Sequence, residues 1–133
     1  MTTDPSPRHN AACELHAPHT GQWLTVSPDY SQLKAGELRF LWLHGIPGAG
    51  KTVLLSFIAQ DLQALRDDHK DASSVYHYCY FARGQDETKH FLRWTISQLC
   101  RQMDDIPFEV EETFENGQQP STNELLVMLE AAI

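Results

Sequence analysis

At 133 residues, with 41% apolar and 21% charged side chains, the chain has the make-up of a globular protein and room for one domain with a core. A formal net charge of −8, with Lys and Arg scattered along the sequence, argues against a partner held by general positive charge, such as nucleic acid or an anionic lipid surface. No apolar run nears the ~20 residues of a membrane helix, and three widely spaced cysteines, Cys13, Cys79 and Cys100, with no Cys-x-x-Cys pair, argue against a disulfide framework.

Residues 1–22 mix Pro, Thr, His and Asn without a helical or strand period, and are expected to form an irregular lead-in. The first ten residues lack the apolar stretch of a secretory signal, so the expected location is the cytoplasm, with reduced thiols. His9, Cys13, His16 and His19 are zinc-type ligands, but their spacing fits no common finger and a His-containing tail explains them as well.

The run Leu38-Arg39-Phe40-Leu41-Trp42-Leu43 is short, mostly apolar and ends at a glycine turn, the pattern of a strand buried on both faces of a parallel sheet, with Trp42 in the core. From Lys51 onward, Leu54, Leu55, Ile58, Leu62 and Leu65 recur at three- and four-residue steps, which predicts an amphipathic helix ending in Asp67-Asp68-His69-Lys70. Val75, Tyr76, Tyr78, Cys79 and Tyr80, within 74–81, favour a pleated surface and predict a second strand. Phe91, Leu92, Thr95, Ile96, Leu99 and Met103 predict a further helix over 87–103, with Trp94 in the core. The acidic stretch 104–116, broken by Pro107, reads as a solvated surface. Ser121-Thr122-Asn123-Glu124 matches a capping box, so a last helix is expected from there. Strand, helix, strand is the order of an α/β fold, and the expected class is a three-layer α/β domain, present in part, over 23–133.

Between the first strand and the first helix lies Gly45-Ile46-Pro47-Gly48-Ala49-Gly50-Lys51-Thr52, which fits G-x-x-x-x-G-K-S/T. A random chain of this length would match in under ~1% of cases. Glycines allow positive φ and let successive amides approach a phosphate with no Cβ in the way, and the helix that follows aims its N-terminal amides at the same anion. Lys51 would reach the β- and γ-oxygens, the Thr52 hydroxyl would ligate magnesium, and Pro47, without an N–H, must stand where no donor is needed. The ligand expected is therefore ATP or GTP with Mg2+, the loop itself reading phosphates and not the base. Hydrolysis also needs an acid to complete magnesium coordination. Glu130 follows the apolar run 125–129, but that run reads better as a helix than as a strand; Asp86 is the other acid considered. His44 and Arg83 can be read as groups near the phosphates or as structural and exposed side chains.

The phrase from Leu41 through Gly45 to Thr52 resembles the fungal NACHT ATPases that carry a nephrocystin-3-like N-terminal module. The lead-in with Cys13, Thr20, Gly21, Trp23, Leu24 and Tyr30, the tyrosine-rich segment 76–81, and Phe91-Leu92-Arg93-Trp94 with Gln98-Leu99 look like the same family. The resemblance implies a signal-transducing NTPase of STAND type, placed between an N-terminal effector and C-terminal ankyrin or WD repeats, with Thr20, Gly21 and Trp23 near the nucleotide base. It also implies an acidic Walker B strand after the helix that 121–133 resembles, so the chain is expected to be a fragment ending before it. In the STAND sheet the two strands read here are not neighbours. Apolar faces left uncovered then favour self-association, and turnover by this chain alone is not expected.

Overall fold

The computed structural model describes residues 6–69, 72–79, 86–117 and 119–133. They form seven helices: α1 (Ser6–Glu14), α2 (Gln22–Thr25), α3 (Pro28–Lys34), α4 (Lys51–Asp68), α5 (Thr88–Cys100), α6 (Phe108–Glu115) and α7 (Thr122–Ala131). No strand occurs among the described residues, which overturns the α/β expectation. The reason is a matter of partners. Residues 38–43 and 74–79 avoid helix, but a strand also needs a neighbouring backbone at ladder distance. Neither segment pairs with another strand. Trp42, expected in a core, is 72% exposed and stacks on Phe40, at 6.3 Å. Tyr80, Phe81 and Arg83 lie outside the described residues.

The described residues divide into two compact units, one within Ser6–Leu65 and one within Arg66–Ile133. In the first, Tyr30, Leu24, Ala12, Ser56 and Ala59 are buried, α2 packs on α3, and side-chain bonds from Tyr30 to Asp61 and from Gln60 to Cys13 tie α3 and α1 to α4. The lead-in thus contains a helix that its composition does not announce: α1 has no apolar period and buries only His9 and Ala12. α3 has a full local signature. The Ser27 hydroxyl accepts from the Tyr30 amide, Pro28 takes the first turn, Asp29 sits at the positive end and Lys34 at the negative end. α4 follows its apolar period, yet its deepest positions are the small Ser56 and Ala59, while Leu55 remains exposed.

In the second unit α5 has two working faces. Leu92 and Ile96 join Leu125 and Met128 of α7 in a core that Cys100, Val110 and Leu129 extend. The other face, with Trp94 and Gln98, holds the segment 72–79 together with Gln102 in the turn that follows the helix. Gln98 accepts from the Tyr76 amide and donates to the Tyr76 carbonyl, and Gln102 does the same for Ser74, at 2.9–3.2 Å. The indole of Trp94 also donates to the Tyr76 carbonyl, at 2.9 Å. The segment's β-propensity is expressed as extended backbone whose hydrogen bonds end on a helix. At α7 both bonds of the capping box form, Glu124 N to Ser121 Oγ and Ser121 N to Glu124 Oε2.

A shared carboxylate joins α3 to α4 in the first unit. Tyr30, with 0% exposure, donates from its hydroxyl to Asp61 Oδ2 at 2.8 Å, and Lys34 Nζ reaches the same oxygen at 3.0 Å. Partial burial works against ionisation of Asp61, but the bonds from Tyr30 and Lys34 outweigh it and hold the carboxyl below its ordinary value of 3.8. Burial, then the bond to Asp61, pushes the Tyr30 phenol well above its ordinary 10.0. By linkage, the Asp61 contribution is present above pH 3.8 and is lost as pH falls through the folded value; that of Tyr30 is present below pH 10.0 and is lost as pH rises beyond it. Tyr30→Phe is expected to cost about 1 kcal/mol, the range for a bond to a charged group reduced for the partial exposure of Asp61. It should also flatten the acid limb of the stability curve in urea denaturation across pH. Parallel acid limbs for wild type and variant would show that the phenol does not hold the carboxylate ionised.

Candidate functional site

The segment Gly45–Thr52 is built from local rules. The Ala49 amide donates to the Ile46 carbonyl at 3.2 Å, closing a turn with Pro47 second and Gly48 third, the residue order of a type II turn. Gly48 has the positive φ that such a turn requires, 81°, and Gly50 follows at 78°. The Leu54 amide then bonds the Gly50 carbonyl at 2.9 Å, so α4 starts here, and its first amides have no acceptor within the helix. Residues 44–50 and Thr52 are exposed. Nothing stands within 4 Å of where a Cβ on Gly48 or Gly50 would be. The loop is open to solvent, and its glycines serve backbone shape and not packing.

Lys51 folds back over this loop. Its ammonium donates to the Gly45 carbonyl at 2.7 Å and to the Ile46 carbonyl at 2.8 Å, using two of three donors. A fixed cation, an exposed hydroxyl on Thr52 and the unpaired amides of a helix of 18 residues thus converge on one end of α4. This donor set suits a polyphosphate with a hard divalent cation. His44, directly ahead, is exposed.

The remaining expected residues have other duties. Thr20 Oγ1 donates to the Ala17 carbonyl at 2.7 Å, and its own carbonyl meets His16 Nε2 at 2.7 Å. Gly21, at φ 83°, starts α2 and lies so close to α4 that a Cβ there would fall 2.9 Å from Leu54 Cδ1 and 3.1 Å from Phe57 Cδ1. Trp23 is 62% exposed. The four zinc-type residues of the lead-in do not converge: His9 Nε2 meets Cys13 Sγ at 3.6 Å, Cys13 also accepts from Gln60, His16 stacks on Phe57 and His19 meets Gln22. Burial lowers the pKa of His9.

The two acids considered for magnesium lie in the other unit. Glu130 is exposed within α7, a helix and not the end of a strand. Asp86 takes the side-chain and backbone bonds of Thr88 at the start of α5, and these hold its carboxyl below the ordinary range. Cys79 is exposed. α5, α6 and α7 also frame a largely apolar groove of about 650 Å³ lined by Ile96, Val110, Phe114, Leu125 and Met128.

The family model described as "Nephrocystin 3, N-terminal" matches residues 19–133. The chain belongs to this family. The match includes the whole Gly45–Thr52 segment, α2 to α7, and the glutamine-bound segment 72–79. No curated protein and no solved structure matches the chain. No helix among the described residues of this nephrocystin-3 N-terminal family member is long and apolar enough to cross a membrane.

Gly21 and Gly48 share a left-handed φ but differ in surroundings, so alanine at each separates backbone strain from packing. Gly48→Ala is expected to cost about 1 kcal/mol, from strain alone. Gly21→Ala adds the contact with Leu54 and Phe57 and should cost about 2–3 kcal/mol. Urea denaturation of both variants checks this; equal losses would mean that Leu54 and Phe57 yield freely.

Proposed function

We propose that the chain binds the phosphates of a nucleoside triphosphate, ATP or GTP, together with Mg2+, as the nucleotide-binding part of a NACHT-type signalling protein. The observation that carries this reading is the Lys51 ammonium held against a loop with positive φ at Gly48 and Gly50, directly ahead of α4. Family membership supports it, since the nephrocystin-3 N-terminal domain is found in NACHT-containing proteins. The reading rests on the loop and α4, and asks nothing of a sheet.

Each residue has a definite part. Gly45, Gly48 and Gly50 keep side chains out of the phosphate's path, and Ile46, Pro47 and Ala49 supply the turn between them. On binding, Lys51 exchanges the Gly45 and Ile46 carbonyls for phosphate oxygens, a stronger charge-assisted contact. Thr52 offers its hydroxyl to magnesium, which when bound neutralises charge between the phosphates. Removing the ammonium takes away a contact of about 1.5–3 kcal/mol, so Lys51→Ala is expected to weaken binding at least tenfold. Titration with a fluorescent nucleotide and magnesium measures this. Equal affinity of wild type and variant would remove the loop as the binding site.

Turnover asks for more than binding. A water must be positioned and developing charge stabilised, and Lys51 with Thr52 supply only part of that arrangement. Glu130 on α7 and Asp86 bonded to Thr88 are poorly suited to complete it. Phosphate release from ATP or GTP is expected to be no faster than in a Lys51→Ala control. A clear excess that Glu130→Gln abolishes without loss of binding would make Glu130 the magnesium acid after all.

A further inference from the structure

The Arg66–Ile133 unit contains a second group of reactive side chains. His77 and Cys79 stand two residues apart in the extended segment 72–79, and side chains at that spacing point to the same face. Glu87 directly precedes α5. One imidazole nitrogen, the Cys79 sulfur and one Glu87 carboxylate oxygen all lie within 4.8 Å of one another.

His77 is the unusual member. Its side chain is only 10% exposed, and both ring nitrogens are shut off from solvent with no hydrogen-bond partner among the described residues. Buried polar atoms are nearly always satisfied, because water is given up with nothing in return. The approach of Nε2 to Glu87 Oε2, 3.7 Å, is too long to be a hydrogen bond. The Phe91 ring packs edge-on against the imidazole at 5.3 Å, which fixes the ring without satisfying it.

We propose that His77, Cys79 and Glu87 bind a single Zn2+ ion. An ion lying between the three donors would give the buried imidazole its missing partner. Nitrogen, thiolate and carboxylate together form a borderline-soft set that zinc accepts readily. A neutral imidazole, a thiolate and a carboxylate also carry two negative charges, so the occupied site is neutral. Zinc bonds of about 2.0–2.3 Å in a tetrahedron place donors about 3.3–3.8 Å apart. The widest separation must therefore close by about 1 Å. The exposed side chain of Cys79 can turn to do so, whereas His77 is already held. Three protein donors leave a fourth position for water. The ion would fasten segment 72–79 to the start of α5, at a point beyond the rungs made by Gln98 and Gln102.

The test uses the full chain, stripped of metal by a chelator under reducing conditions. Titration with Zn2+ against a chromophoric chelator is expected to give one ion per chain. Co2+ should produce a thiolate-to-metal charge-transfer band. Cys79→Ser, at an exposed position that carries no packing, should abolish the band and weaken Zn2+ binding by about tenfold or more. Cys13→Ser and Cys100→Ser should keep both. Zn2+ should raise the unfolding midpoint of the wild type but not of Cys79→Ser. His77→Gln should match Cys79→Ser in zinc affinity; if it fails to fold, Cys79→Ser alone decides. The proposal is overturned if no stoichiometric binding occurs, if the band survives Cys79→Ser, or if Cys13→Ser removes it.

Discussion

Two glutamine side chains hold the extended segment of the second unit in place. Gln98 and Gln102 each use an amide to satisfy both the N–H and the C=O of one backbone residue, Tyr76 and Ser74. Gln98 on α5 and Gln102 in the turn after it stand four residues apart, and each meets one of two alternate residues of the segment, Tyr76 and Ser74. A primary amide carries one donor and one acceptor side by side, as a neighbouring strand would. Trp94 belongs to the same stripe and adds its indole N–H at the Tyr76 carbonyl. Everything else in the unit follows from having one face of α5 occupied this way. The opposite face is free for Leu92 and Ile96 to pack on α7.

The same arrangement explains why the fold class could not be taken from propensities. Val75, Tyr76 and Tyr78 favour an extended backbone, but nothing in those residues says whether the partner is a strand or a helix carrying glutamines. Gln98 and Gln102, spaced four apart beside Trp94, were the available signal, and they read as ordinary polar positions on an amphipathic helix. α4, α5 and α7 were legible because their determinants are local: an apolar period, or Ser121 and Glu124 three residues apart. α3 was not read from the sequence, although Ser27, Pro28, Asp29 and Lys34 carry its local signature, because its short length hides it. α6 is masked by its own charge, since Glu109, Glu111, Glu112 and Glu115 make the segment look like open surface while Val110 packs on the core.

The candidate nucleotide site divides along the same line. Its eight residues are contiguous and obey turn and helix-start rules, so both sequence and geometry point to them. Gly21 carried a second meaning that only packing reveals, because its missing Cβ is space taken by Leu54 and Phe57. His77, Cys79 and Glu87 were invisible as a group, since Glu87 reaches the other two only through the folded unit. Cys13, His16 and His19 of the lead-in, which looked more like a cluster in sequence, are dispersed by their separate contacts with Gln60, Phe57 and Gln22.

The posture of Lys51 sets the terms on which any anion enters. Its ammonium already holds two backbone oxygens, so an incoming ligand is a competitor for an occupied donor and is selected by how much more negative charge its oxygens bear than a carbonyl does. The displaced Gly45 and Ile46 carbonyls lie on an exposed loop, where water can take up the vacated bonds. The exchange is therefore steep in ligand charge and shallow in the loop's own energy. Under the proposed function such a loop would be a charge threshold, discriminating between a dense polyanion and a singly charged solute before any contact with the rest of the molecule is made.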